Sequence, residues 1–170
     1  CVAFVDLLAR LLRLPAPPTS DWIIATFVAT SRQVCTDQPY RARGGRFTER
    51  EGSFPDYLEF VLDQAARNDW STREACAAWS SGAYLLETVP SMLWILARHA
   101  HDPEEAIVRA VNDTQDNDTI ATLVGAAVGA LHGKEALPLT WQHGLLGRTT
   151  ADDNGRVFRL IEEAVRRDWL

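Results

Sequence analysis

No apolar run in this 170-residue chain is long enough to cross a bilayer. The nearest candidate, Ile120 to Leu131, is too short and reads as a buried helix, so no membrane partner is expected. No segment of useful length alternates with period two, and there is no internal repeat or low-complexity tract. A Gly-x-Ser-x-Gly elbow, a Walker loop and a dinucleotide fingerprint are all missing. The cysteines number three (Cys1, Cys35 and Cys76) and stand far apart. An odd, scattered set is no disulfide framework and indicates ordinary thiols in a reducing, cytoplasmic compartment. His99, His101, His132 and His143 match no compact zinc spacing and read as surface or helix-end residues. The formal net charge of −6 argues against direct nucleic-acid binding.

What is present points to helices. At 46% apolar and 24% charged residues, the composition is that of an ordinary globular protein, and the length suits one domain. Val2 to Leu14 is apolar on most sides and is stopped by Pro15 and the prolines after it. Thr19 or Ser20 caps a second helix through Trp22, Phe27 and Val28. Thr36 to Ser53 is polar, with Arg41, Arg43, Arg46 and Arg50 diluted by Asp37, Glu49 and Glu51, and reads as a solvated surface loop. Ser53-Phe54-Pro55-Asp56 opens an amphipathic helix with Tyr57, Leu58, Val61, Leu62 and Ala65 on one face. A short helix to Trp79 is broken by Ser80-Ser81-Gly82. A long apolar helix from Tyr84 to His99 follows, and its Pro90 should kink it or mark its first turn. Asp102-Pro103-Glu104-Glu105 starts another helix. Thr119 to His132 ends at Gly133, and two short helices follow, Pro138 to Leu146 and Gly155 to Arg167. The fold class is therefore all-α. Ala121, Gly125 and Gly129 form a small-residue stripe that lets a neighbouring helix of the same chain approach.

The densest chemistry lies in Asp113-Thr114-Gln115-Asp116-Asn117-Asp118-Thr119, directly before that glycine-bearing helix. Asp and Thr oxygens cap helix starts, and acids there complement the dipole. One Asp suffices for a cap, however, and Asp116 and Asp118 repel each other unless a positive charge offsets them. The EF-hand pattern fails: counted from Asp116, positions five, six and twelve are Ile120, Ala121 and Ala127. Cap and hard-cation site both stand at this point. Glu87 is a second open question. A buried acid needs a partner, and this one either ties helices together or supports a site. The Ser80-Ser81-Gly82 loop is a weak candidate for facing ribose or phosphate through its amides.

Taken in order, several runs resemble the C-terminal half of an ADP-ribosylglycohydrolase. They are Glu87-Thr88-Val89-Pro90-Ser91, then Asp116-x-Asp118-Thr119-Ile120-Ala121, then Gly125, Gly129 and Gly133 at steps of four. Leu137-Pro138-x-x-Trp141, Gly144-Leu145-x-Gly147-Arg148 and Asp152-Asp153-x-Gly155-Arg156-Val157-Phe158 complete the pattern. The similarity is good over roughly residues 80 to 165 and loose over 1 to 14. It implies an all-α domain with two Mg²⁺ ions in a cleft. Asp116, Asp118 and Thr119 would be metal ligands, with Asp118 the better bridging candidate. Residues 1–170 would then be the C-terminal part of a single domain. The further metal ligands and the catalytic acid would lie in a missing N-terminal half, consistent with a chain that opens Cys1-Val2-Ala3-Phe4-Val5 as though a helix had been cut. An apolar face of Phe4, Leu7, Leu8 and Leu11 would be left exposed.

Two positions depart from the family pattern. Thr114-Gln115 stands where Gly-Gly is common, and Asn117 where Thr is common. Neither removes a ligand oxygen, but Gln115 narrows the cleft or alters substrate choice. The activity implied is Mg²⁺-dependent hydrolysis of the glycosidic bond between ADP-ribose and a protein side chain or small acceptor. The partner is then an ADP-ribosylated protein or small ADP-ribose conjugate. Two other readings remain: a non-catalytic structural or ADP-ribose-binding member of the same fold, and a helical interaction domain whose acids only cap.

Overall fold

The computed structural model describes residues 1–35, 38–146 and 156–167, and the chain forms two compact units, residues 1–136 and 137–170. In the first unit the helices are α1 (Val2–Leu11), α2 (Ser20–Val34), α3 (Phe54–Arg67), α4 (Thr72–Trp79), α5 (Leu85–His99), α6 (Pro103–Asn112) and α7 (Asn117–His132), closed by a 3₁₀ turn at Lys134–Ala136. One two-stranded ribbon interrupts them, β1 (Tyr40–Arg41) against β2 (Glu51–Gly52), antiparallel with Tyr40 opposite Gly52. The second unit holds α8 (Leu139–Leu146) and α9 (Arg156–Arg166), and Leu160 and Ile161 on α9 are exposed. The fold is all-α, as the periodicity predicts. Among the described residues no helix is long and apolar enough to cross a membrane.

Local chemistry starts most of these helices. The Thr19, Ser53 and Asp102 side chains accept the Trp22, Asp56 and Glu105 amides, and Ser71 and Glu74 form a reciprocal capping box at α4. Helix α5 is the axis of the first unit and packs on α2, α3, α4, α6 and α7. Its residues Leu86, Met92, Leu93, Ile95 and Leu96 are buried, which explains an apolar pattern on nearly every side. Pro90 falls in the second turn of α5, not the first. It has no N–H to donate to the Leu86 carbonyl. The buried Ser91 hydroxyl donates to the Glu87 carbonyl at 2.7 Å and accepts the Trp79 indole N–H at 2.8 Å, joining α4 to α5.

Two expectations need correction and a third gains detail. On α1, Leu7 and Leu11 are fully buried and Phe4 and Leu8 half-buried, because their i, i+3, i+4, i+7 face packs on α2 and α7. The exposed apolar residues there are Val2, Val5 and Leu12. The arginine-rich segment is a surface loop with Arg41, Arg43, Arg46 and Arg50 all exposed, as expected, and three of these side chains have definite partners. Arg41 reaches the Thr48 carbonyl at 3.0 Å, Arg43 stacks 4.1 Å over Tyr84 and Arg50 3.8 Å over Phe60. Along the small-residue stripe α7 does pack within the chain, on α6. Yet a Cβ at Gly125 would only just touch Ile107, 4.0 Å away, and one at Gly129 would meet nothing within 4 Å. All three cysteines are free, and burial pushes the Cys76 thiol up to about 12.

Candidate metal centre

The acidic stretch forms the turn between α6 and α7, and the structure gives its three carboxylates different roles. Asp113 ends α6. Its side chain is 7% exposed, accepts the Thr72 hydroxyl and lies 3.5 Å from the Arg109 guanidinium, so it serves as a structural acid. Thr114 folds back to donate to the Ala110 carbonyl at 2.6 Å. Gln115 is exposed, and its amide donates to the Ser81 hydroxyl at 3.0 Å. Asp116 stands at the cap position of α7, where a side chain of this type normally accepts an amide from the first turn.

That cap bond is absent. The Asp116 amide donates to the Ser81 carbonyl at 2.9 Å, while its Oδ2 is buried and has no hydrogen-bond partner. Water normally solvates an anionic oxygen or protein donors bind it, and an orphaned one is costly. Asp118 and Thr119 are exposed in the first turn of α7. The Asp118 Oδ1 accepts the Thr119 amide at 2.9 Å, a bond that ties down only one of its two oxygens. Two carboxylates and one hydroxyl thus lie within four residues, at the positive end of a helix dipole. Hard oxygen donors of this kind suit Mg²⁺. Among the described residues no three His, Cys, Asp or Glu side chains converge as a metal-holding group.

Behind the turn lies a pair of close-packed loops that sequence reasoning largely missed. Gly45 has φ +78, and a Cβ there would fall 2.6 Å from the Trp79 carbonyl carbon. The next amide, from Arg46, donates to the Ala78 carbonyl at 2.6 Å. Glu87, 7% exposed, faces the second loop, Ser80–Gly82. Burial holds its carboxyl above the usual range, with the Gly82 amide and the Arg43 charge opposing that rise. Burial, and after it the Glu87 charge, pushes the Tyr57 phenol up to about 12, and the Tyr57 hydroxyl is buried without a partner. The adjacent glycines of 44–45 were the available signal, since paired glycines mark close backbone approach.

The raised Glu87 carboxyl has a measurable consequence. Its protonated form is favoured in the folded state, so its contribution to stability is complete below pH 4.5, the ordinary glutamate value, and is lost as pH rises through the folded value. Glu87→Gln is therefore expected to gain stability relative to the parent between pH 4.5 and neutrality. Urea unfolding of both at several pH values checks this, and parallel curves would contradict it.

Comparison with known proteins extends the resemblance. The ADP-ribosylglycohydrolase family model matches residues 1–168, nearly the entire chain. The chain belongs to the ADP-ribosylglycohydrolase family. The match includes residues 15–79, where no motif was evident. Similar proteins include ADP-ribosylhydrolase ARH3 of Xenopus tropicalis, 26% identical over 73% of this chain and 38% of the relative. The human ARH3 is 30% identical over 54% and 27%, and that of Bos taurus 22% identical over 88% and 44%. The chain thus spans less than half the length of these curated relatives. No solved structure matches it. The tail motifs Gly147-Arg148 and Asp152-Asp153-x-Gly155 lie outside the described residues, as does the His143 side chain.

His132 and His99 take no part in the centre. The His132 Nε2 is 2.6 Å from the Ala100 carbonyl, and burial holds the His99 pKa below its usual value.

Proposed function

We propose that this chain carries one part of a Mg²⁺-dependent active site that hydrolyses the glycosidic bond between ADP-ribose and a protein side chain or small acceptor. The observation that carries the reading is the buried, unpartnered Oδ2 of Asp116 at a cap position it does not use. Family membership supplies the reaction class, and the names of the relatives, ADP-ribosylhydrolases, agree with it. Asp116 and Asp118 would hold the ion through carboxylate oxygens, and Thr119 would add its hydroxyl. Bound Mg²⁺ would supply a positive centre able to orient a ribose and acidify a water.

The chain's own contribution is rigid placement. The Asp116 backbone is fixed from outside its own turn, so its carboxylate is free to face a ligand. Asp113, already engaged by Thr72 and Arg109, is excluded from the shell. No residue of the described chain is assigned as the catalytic acid or base.

Mg²⁺ titration by calorimetry is the first test. Residues 1–170 alone are expected to bind weakly, because Mg²⁺ demands near-octahedral oxygen ligation and this turn provides three side chains. They are also expected to release no ADP-ribose from ADP-ribosylated peptide. A family-length protein carrying this chain should release it in Mg²⁺ and not in EDTA. Mg²⁺-dependent turnover by the 170 residues alone would mean that a complete site lies within them. Metal binding without turnover in the longer protein would favour the ADP-ribose-binding alternative.

A further inference from the structure

Glu87 has no part in that reaction, yet it is a buried acid pressed against a loop. Its carboxyl lies against the Gly82 backbone across the α4–α5 corner. The approach is so close that a Cβ on Gly82 would lie 2.6 Å from the Glu87 Oε2. Thr88, the next residue on α5, takes the other side of Gly82 by donating its hydroxyl to the Gly82 carbonyl at 2.9 Å. The first turn of α5 thus holds Gly82 by a hydrogen bond to its carbonyl and by the close contact of Glu87.

One residue earlier, Ser81 is 2% exposed and faces the metal turn. Its hydroxyl accepts the Gln115 amide at 3.0 Å and its carbonyl accepts the Asp116 amide at 2.9 Å. Position 81 therefore binds two consecutive amides immediately before α7, and position 82 is clasped by α5.

We propose that Glu87 is a positioning residue for the metal turn, holding Gly82 so that Ser81 sets the backbone of Gln115 and Asp116 and leaves the Asp116 carboxylate free for its ligand. The functional meaning rests on reading Asp116 as a metal ligand. The clasp itself is a property of the metal-free chain and is tested there.

The experiment is residue-resolved amide hydrogen exchange on the metal-free 170-residue chain, in the parent, Glu87→Ala, Glu87→Gln and Ser81→Ala. In Glu87→Ala the Gln115 and Asp116 amides should exchange at least about tenfold faster, with mid-helix amides of α3 little changed, because only a local opening is eased. Glu87→Gln keeps the shape and a polar oxygen against Gly82 and should restore protection at both amides. Ser81→Ala removes the hydroxyl and keeps the carbonyl, so it should expose Gln115 more than Asp116. If Glu87→Ala does not fold, Glu87→Leu fills the volume without an acceptor and should show the same two fast amides.

Mg²⁺ affinity measured by calorimetry in a family-length protein is the second readout. Glu87→Ala should weaken it by about 10- to 100-fold, the usual loss when an outer-shell partner is removed, with Glu87→Gln near the parent. Parent-like exchange at Gln115 and Asp116 in folded Glu87→Ala or Glu87→Leu would overturn the clasp, whatever the metal does. Loosened amides in a protein that binds no Mg²⁺, parent included, would leave the clasp standing and remove the metal reading of Asp116.

Discussion

Asp118→Ala in a family-length protein carrying this chain is expected to lower kcat/KM for release of ADP-ribose by on the order of 10³-fold, the upper range for removing one electrostatic group from a site. The helices should survive. Asp118 is exposed and accepts only its neighbour's amide, so the loss to stability should be about 1 kcal/mol or less. Activity assays at saturating Mg²⁺ beside a thermal melt separate the two effects. Near-normal turnover with a normal melt would end the assignment of Asp118 as a ligand. A collapse of both together would assign it to the fold. The mirror experiment, Asp113→Ala, should damage stability more than Asp118→Ala does, because it strips partners from Thr72 and Arg109 in a nearly buried setting.

Gly45→Ala should be among the most damaging single changes in the first unit. A side chain at φ +78 is already strained, and the new Cβ would lie 2.6 Å from the Trp79 carbonyl carbon and 2.7 Å from its Cα. Backbone atoms cannot rotate away as a flexible side chain can. The expected loss is about 3 kcal/mol or more, adding left-handed strain to overpacking, measured by urea unfolding. Gly52→Ala is the internal control, since a Cβ there meets nothing within 4 Å. Equal behaviour of the two variants would show that the loop docks differently from this description.

The contrast between those glycines shows what was readable from sequence. Helix α3 announced itself through Ser53 and its apolar spacing, and α6 through Asp102 and Pro103, because caps and periodicity are local. The order of several runs, from Glu87–Ser91 through Asp116–Ala121 and the glycines at 125, 129 and 133 to the tail, suggested the family, and that assignment is confirmed over residues 1–168. What was hidden involves partners far apart in sequence. Nothing near Gly44-Gly45 says that the chain docks on the end of α4. Local propensity makes Asp116 a cap, whereas its carboxylate goes unbonded because a remote carbonyl holds its backbone. The strands β1 and β2, two residues each, are too short to carry an alternation. Pro90 signalled a kink or a first turn, and it lies in the second turn of α5, where tertiary burial of the helix outweighs the lost hydrogen bond.

The bond from the Gln115 amide to Ser81 spans 34 residues, and this bears on how the molecule assembles. Helices α6 and α7 are consecutive and can zip into a hairpin on the fast timescale of local structure. The bend between them acquires its final shape only when a remote corner of the chain arrives, and closing such a loop carries an entropic cost before any contact rewards it. The bend that carries Asp116 should therefore be among the last features to set during refolding. During synthesis the order is favourable: the Ser81 corner leaves the ribosome first and stands ready as a template when Asp116 emerges.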